Sequence, residues 1–108
     1  MELNDILRAA SKHGASDVHL KVGLPPIFRI NGKLVPLKVP EPLQSGALEA
    51  MSRVIFREEQ QARFERHHEM DCAYSVSGLG RFRVNTFMQR GTIGMVLRVV
   101  PVGVQSFA

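Results

Sequence analysis

The stretch "RFRVNTFMQRGTIGMVLRVV", residues 81–100, constrains this chain more than any other, because its apolar alternation sets the register of a hairpin. With Gln89–Thr92 as the turn, Phe82 opposes Val99, Val84 opposes Leu97, Thr86 opposes Met95 and Met88 opposes Ile93. One face is then apolar or nearly so. A slip of one residue would turn that whole row towards water. The same register sets Arg83 opposite Arg98 and Asn85 opposite Val96 on the other face, with Arg90 at the tip. Opposed Cβ atoms in such a ladder lie about 5 Å apart, where like charges repel. Residues 78–101 hold Arg81, Arg83, Arg90 and Arg98 and no acidic residue, so the compensating anion must come from elsewhere.

Three sources compete. Acidic side chains of the same domain, Asp17, Asp71 or Glu69, would give structural ion pairs. Nucleic acid is disfavoured, because one tyrosine and no tryptophan are available for stacking. A nucleotide phosphate or an acidic protein surface suits the composition better: ten of the fourteen basic residues are arginine, whose planar fork matches phosphate and carboxylate. The formal charge of +4 and pI near 9.8 favour an anionic partner only weakly, and on charge alone a solvated basic surface is the plainer reading.

The remaining elements follow from changes of period. Leu3, Ile6, Leu7 and Ala10 recur at helical spacing, and Gly14 stands where a left-handed cap would close that helix. From Asp17 to Val22 the pattern alternates, with Val18, Leu20 and Val22 inward and Asp17, His19 and Lys21 outward. Asn31-Gly32 between two β-prone runs signals a tight hairpin. "EPLQSGALEAMSRVIF" reads as an amphipathic helix starting near Pro42 or Ser45. "REEQQARFERHHEMD" reads as a further, solvated helix. Cys72, Tyr74 and Val76 alternate before a "SGLG" turn and the arginine hairpin. The order α-β-β-β-α-α-β-β-β predicts an α+β domain, an antiparallel sheet with its helices packed on one side.

Several functions are disfavoured. A chain of 108 residues with 44% hydrophobic and 22% charged residues makes one folded domain with one modest core. There is no G-x-x-x-x-G-K-S/T loop, no G-x-G-x-x-G after a strand and no G-x-S-x-G, so the chain alone is not expected to catalyse a reaction. His67 and His68 are adjacent, and helical metal ligands prefer spacings of three or four, so no metal site is expected. The single Cys72 excludes an internal disulfide and reads as a small core residue. Tyr74 reads as core. No apolar run approaches the ~20 residues of a membrane span.

Two blocks, "GASDVHLKVGLPPIFRINGKL" and "FERHHEMDCAYSVSGLGRFRVNTFMQRGTIGMVLRVVP", closely resemble the N-terminal domain of the type IV pilus retraction ATPases, the PilT family of secretion ATPases. The resemblance implies a PAS-like domain over residues 1–101. Residues 102–108, where the alternation is lost, would begin a linker to a RecA-like ATPase domain outside this chain. It implies a cytoplasmic protein, peripheral to the inner membrane through the pilus machine and its inner-membrane platform. In that setting the domain packs on the RecA-like domains of its own and the neighbouring subunit of a homohexamer, with ATP and Mg²⁺ belonging to the parent protein. Arg83 and Arg90 would sense nucleotide phosphate, with Arg81 and Arg98 as further candidates. Asp17, His19 and Arg29 would face the neighbouring subunit. The tip "FMQRG" is one residue shorter than in some relatives. A stand-alone PAS-like sensor binding a small molecule in its core is the alternative.

Overall fold

The computed structural model describes residues 2–101; the linker expected over 102–108 lies outside them. Helix α1 (Leu3–Lys12) buries Leu3, Ile6, Leu7 and Ala10, the four residues that its spacing picks out. Its end is closed at Gly14, whose φ of +72° a glycine adopts without strain. Two otherwise orphaned carbonyls are satisfied there: Gly14 N–H donates to Ser11 O at 3.2 Å, and Ala15 N–H to Ala10 O at 2.9 Å. This tight stop delivers the chain directly into the sheet.

Strands β1 (Asp17–Lys21), β2 (Ile27–Ile30) and β3 (Lys33–Pro36) are followed by helices α2 (Ser45–Ile55) and α3 (Glu58–His67). Strands β4 (Glu69–Val76), β5 (Gly80–Gln89) and β6 (Thr92–Val99) complete the domain. The six strands lie in the order β3-β2-β1-β6-β5-β4, every neighbouring pair antiparallel. The α+β architecture and element order are those expected. The β5–β6 ladder has the register derived from its alternation, from Phe82 with Val99 to Met88 with Ile93, including Arg83 opposite Arg98. Arg90 (φ 53°) and Gly91 (φ 80°) form the two-residue turn at its tip.

The sequence-based expectation fails locally around α3. The expected helical run through Asp71 stops at His67, because His68 takes a left-handed conformation (φ 61°) and Glu69 opens β4. Met70 thereby joins Cys72, Tyr74 and Val76 on one face of the strand. Nor is α3 wholly solvated: Phe64 is 2% exposed and its ring centroid lies 5.5 Å from that of Phe56. One aromatic anchor suffices to seat a helix that is otherwise polar. Strand β1 ends at Lys21, one residue short of Val22.

All three helices cover one face of the sheet. Val18, Leu20, Val84, Met95 and Leu97 from that face are fully buried, in one core with Ile6, Leu7, Leu48 and Phe64. Cys72 and Tyr74 pack half-buried against this core, as expected. The Tyr74 hydroxyl donates to Asn4 Oδ1 at 2.8 Å, tying β4 to α1. Burial of Cys72, with Asp71 beside it, pushes its thiol pKa up, which makes it a poor nucleophile.

Thr86 occupies an apolar position of this row. It is fully buried, and its Oγ1 has no hydrogen-bond partner among the described residues. Its place in the hairpin register thus carries a desolvation cost. Thr86→Val, which keeps the branched shape and removes the orphaned hydroxyl, should raise stability by about 1 kcal/mol. Denaturant melts check this: an unchanged or lower midpoint would mean that the hydroxyl finds a partner, such as a buried water.

Candidate functional site on the open sheet face

The face opposite the helices is open, and the strand registers arrange its side chains in rows. One row runs Leu34, Arg29, Asp17, Arg98, Arg83, Ala73 across β3, β2, β1, β6, β5 and β4. The next runs Pro36, Ile27, His19, Val96, Asn85, Asp71. The middle of these rows lines a shallow basin of about 590 Å³, bounded by Asp17, His19, Arg29, Asp71, Arg83, Asn85, Val96 and Arg98. The outward alternation of β1 and the polar side of the arginine hairpin therefore meet in one place.

The basin supplies its own anions. Arg83 Nη2 donates to Asp71 Oδ2 at 3.0 Å, and Arg98 Nε donates to Asp17 Oδ2 at 3.4 Å. Of the three sources weighed for the missing negative charge, acidic side chains of the same domain therefore serve these two arginines. Asp71 can do so because β4 begins early enough to include it. Arg29 Nη1 donates to Gly32 O at 3.2 Å, across the β2–β3 turn. The Arg83–Asp71 pair is open to water on both sides, 66% and 55% exposed, so it contributes at most about 1 kcal/mol; in the Arg98–Asp17 pair the guanidinium is 72% exposed and the carboxylate only 14%. They orient the guanidinium groups and leave them free to exchange partners.

Partial burial raises the Asp17 pKa, but hydrogen bonds from Ser16 Oγ, at 2.6 Å, and from Arg98 outweigh this and hold it below the ordinary 3.8. His19 Nε2 is buried with no partner among the described residues. Burial lowers the His19 pKa below 6.5; Asp17 opposes the shift, and Arg29 and Lys21 reinforce it. The signs agree. In each case the unfolded chain binds the proton more readily, so stability falls as pH falls. His19 acts first, from about pH 6.5 down through its folded pKa. Asp17 follows below 3.8. Melting temperature should therefore decline between pH 7 and 5, and His19→Gln should flatten that decline; an unchanged slope in the variant would assign it to other groups.

The other candidates lie elsewhere. Arg81 is exposed at the start of β5, where its carbonyl accepts from Val100 N–H at 3.0 Å. Arg90 is seven residues from Arg83 along β5 and the turn, roughly 23 Å of extended strand, so the two cannot grip one phosphate group. Arg90 is exposed and makes no ion pair among the described residues. Among the described residues, no three His, Cys, Asp or Glu side chains come together in a metal-sized group. Among the described residues, no helix is long and apolar enough to cross a membrane.

This fold, with arginines gathered on the open face of its sheet, is that of a domain from the pilus and secretion ATPases. More particularly, the chain is homologous to the N-terminal region of the type IV pilus ATPases PilT and PilU. It is 38% identical over 101 residues to the type IV pilus retraction ATPase PilT of Pseudomonas aeruginosa, covering 94% of this chain and 29% of that protein. It is 37% identical over 98 residues to the type IV pilus ATPase PilU of the same organism, covering 91% and 25%. The crystal structure of the pilus retraction motor PilT with bound ADP superposes with a TM-score of 0.89 at 32% identity, over 97% of this chain and 31% of that one. The Legionella pneumophila ATPase DotB shares the fold, with a TM-score of 0.77 at 22% identity over 92% of this chain and 28% of its own. No protein-family model matches the chain. The chain spans less than a third of the length of these relatives.

Proposed function

We propose that this chain is the N-terminal assembly and nucleotide-sensing domain of a hexameric type IV pilus retraction ATPase. The observation that carries the reading is the 38% identity to PilT over 94% of the chain, with a TM-score of 0.89 to the retraction motor. In this reading the open face packs on the RecA-like domain of the neighbouring subunit through Asp17, His19, Arg29, Arg83 and Arg98. The hairpin arginines, Arg81 and Arg90 included, supply positive charge to the ATP site. Exposed, exchangeable ion pairs suit such a surface, since a partner carrying both signs of charge can replace the internal pairs with intermolecular ones. The domain acts as a rigid body that moves against the catalytic domain as nucleotide turns over. The ring works in the cytoplasm against the pilus machinery at the inner membrane.

The chain's own residues do not fit the task of holding ATP or Mg²⁺. The sequence has no phosphate-cradling G-x-x-x-x-G-K-S/T loop, and the described residues offer no carboxylate cluster. Those groups would belong to the RecA-like domain. What this chain contributes is placement of charge: a guanidinium held on a rigid strand or turn stabilises a phosphate without reorganising.

Two measurements test the reading. Calorimetry on this chain at physiological salt should show no tight ATP binding; micromolar affinity would overturn the division of labour. Sedimentation of the parent protein should show a hexamer that Asp17→Arg weakens, because the substitution turns an Asp17–Arg98 pair into a repulsion on the docking face. A ring of unchanged stability would remove the open face from the interface.

A further inference from the structure

The sheet has two free edges, β3 and β4, and they differ in what they offer a neighbour. In the β2–β3 ladder Leu37 N–H donates to Pro26 O at 2.8 Å, so by the alternation of an antiparallel pair Leu34 and Pro36 turn their backbone groups outward. Pro36 has no N–H, Lys33 adds a charge, and the strand is four residues long. That edge is blunted against further pairing. Strand β4 is eight residues long with neither proline nor lysine, and its ladder with β5 runs without a bulge from Glu69–Phe87 to Val76–Gly80.

The direction of its backbone groups follows from two hydrogen bonds. Met88 N–H donates to His68 O at 3.0 Å, and Val100 N–H donates to Arg81 O at 3.0 Å. The first makes Met70, Cys72, Tyr74 and Val76 the residues bonded to β5, and the second agrees, since it turns the odd-numbered residues of β5 towards β6. Glu69, Asp71, Ala73 and Ser75 therefore aim N–H and C=O away from the sheet. All four are exposed, and among the described residues these groups have no backbone partner. Such a row is a template for another strand.

Charge decides which strand fits. The edge is acidic at its start, Glu69 and Asp71, and small at its end, Ala73 and Ser75. Behind the small residues, on β5, stand Arg83 opposite Ala73 and Arg81 opposite Ser75. An antiparallel second copy of β4 centred on Cys72 sets Asp71 opposite Ala73 of the second copy and Glu69 opposite its Ser75. Each carboxylate then stands one small residue from an arginine, Asp71 from Arg83 and Glu69 from Arg81. Two strand spacings, roughly 10 Å between backbones, are within the combined reach of such side chains. Centres nearer Glu69 bring acidic residues against one another, and centres nearer Val76 carry Glu69 past the end of the second strand.

We infer that β4 is a self-pairing edge: two copies of this chain join through antiparallel β4 strands, about a two-fold axis at Cys72, into one continuous sheet. The edge is separate from the open-face contact proposed for the ring, and the inference does not rest on that contact.

The test is sedimentation of the 108-residue chain over a rising series of concentrations. A reversible monomer–dimer equilibrium is expected. Ala73→Pro removes an outward N–H and no bond to β5, so it should abolish the dimer and leave the melting temperature of the dilute chain within about 4 °C. Glu69→Arg and Arg81→Glu should each raise the dimer dissociation constant roughly tenfold, because the contact occurs twice about the axis, and the double variant should restore dimerisation. Leu34→Glu on the β3 edge and Asp17→Arg on the open face should leave the dimer unchanged. The inference is overturned by a chain that stays monomeric throughout, by a dimer that survives Ala73→Pro, or by a double variant no better than the single ones. Loss of the dimer with Leu34→Glu or Asp17→Arg also overturns it, because the contact would then lie at the other edge or on the open face. If Ala73→Pro does not fold, the charge exchange decides. Ring formation by the parent is read in a separate experiment, so the two readings fail independently.

Discussion

Arg90→Ala in the ring-forming parent protein should lower ATP turnover roughly 10²-fold or more, in the range lost with a phosphate-facing arginine. The same change should leave this chain's melting temperature within roughly 4 °C, because Arg90 is exposed and without an ion pair among the described residues. Lysine at 90 should rescue only part of the turnover, since a point charge lacks the guanidinium fork. Arg83→Ala supplies the contrast. It breaks the 3.0 Å pair with Asp71 but also relieves repulsion from Arg98, so its effect on the isolated chain should be under about 1 kcal/mol in either direction. Turnover of the parent and melting curves of this chain, measured on the same variants, separate sensing from structure. Normal turnover in both variants, with lowered melting temperatures, would reduce the hairpin arginines to structural groups.

The largest effect on stability is expected at Leu97. It lies in a central strand, flanked by Val18 on β1 and Val84 on β5, and all three are fully buried. Leu97→Ala removes apolar contacts on both sides and leaves a cavity that six hydrogen-bonded strands cannot readily collapse. The cost should be about 3–5 kcal/mol, a large part of the total stability of a domain this size. In denaturant, the midpoint should fall with an unchanged slope. A loss below about 1 kcal/mol would mean that the hairpin register is slipped, because a slip would turn Leu97 to solvent.

These two predictions draw on different levels of information. The hairpin register, the sides on which Arg83, Arg98, Asp17 and His19 fall, and the burial of Leu3, Ile6, Leu7 and Ala10 were legible in the sequence. Each is a local matter of period, two for a strand and 3.6 for a helix, enforced by burying one face. The caps and tight turns were legible for a similar reason, since Gly14, Asn31-Gly32 and Gly91 permit backbone conformations that few other residues adopt easily. The stop of α3 at His68 was not legible. A left-handed histidine has no sequence signal, and the gain from burying Met70 and anchoring Phe64 is a property of the assembled core.

The lateral order of the strands was likewise decided only by the tertiary structure. Alternation says which face a residue takes but not which strand stands beside it. Placing β1 between β2 and β6 brings Asp17 opposite Arg98 across 81 residues of sequence, and starting β4 at Glu69 brings Asp71 to Arg83. The same placement sets Lys21 against Gly94. Four arginines without a carboxylate in their own segment posed the question of what balances them. For Arg83 and Arg98 the answer lay in long-range strand pairing, whose free energy comes from the shared core beneath the sheet. Arg90, at a tip that no strand flanks, remains without an ion pair among the described residues.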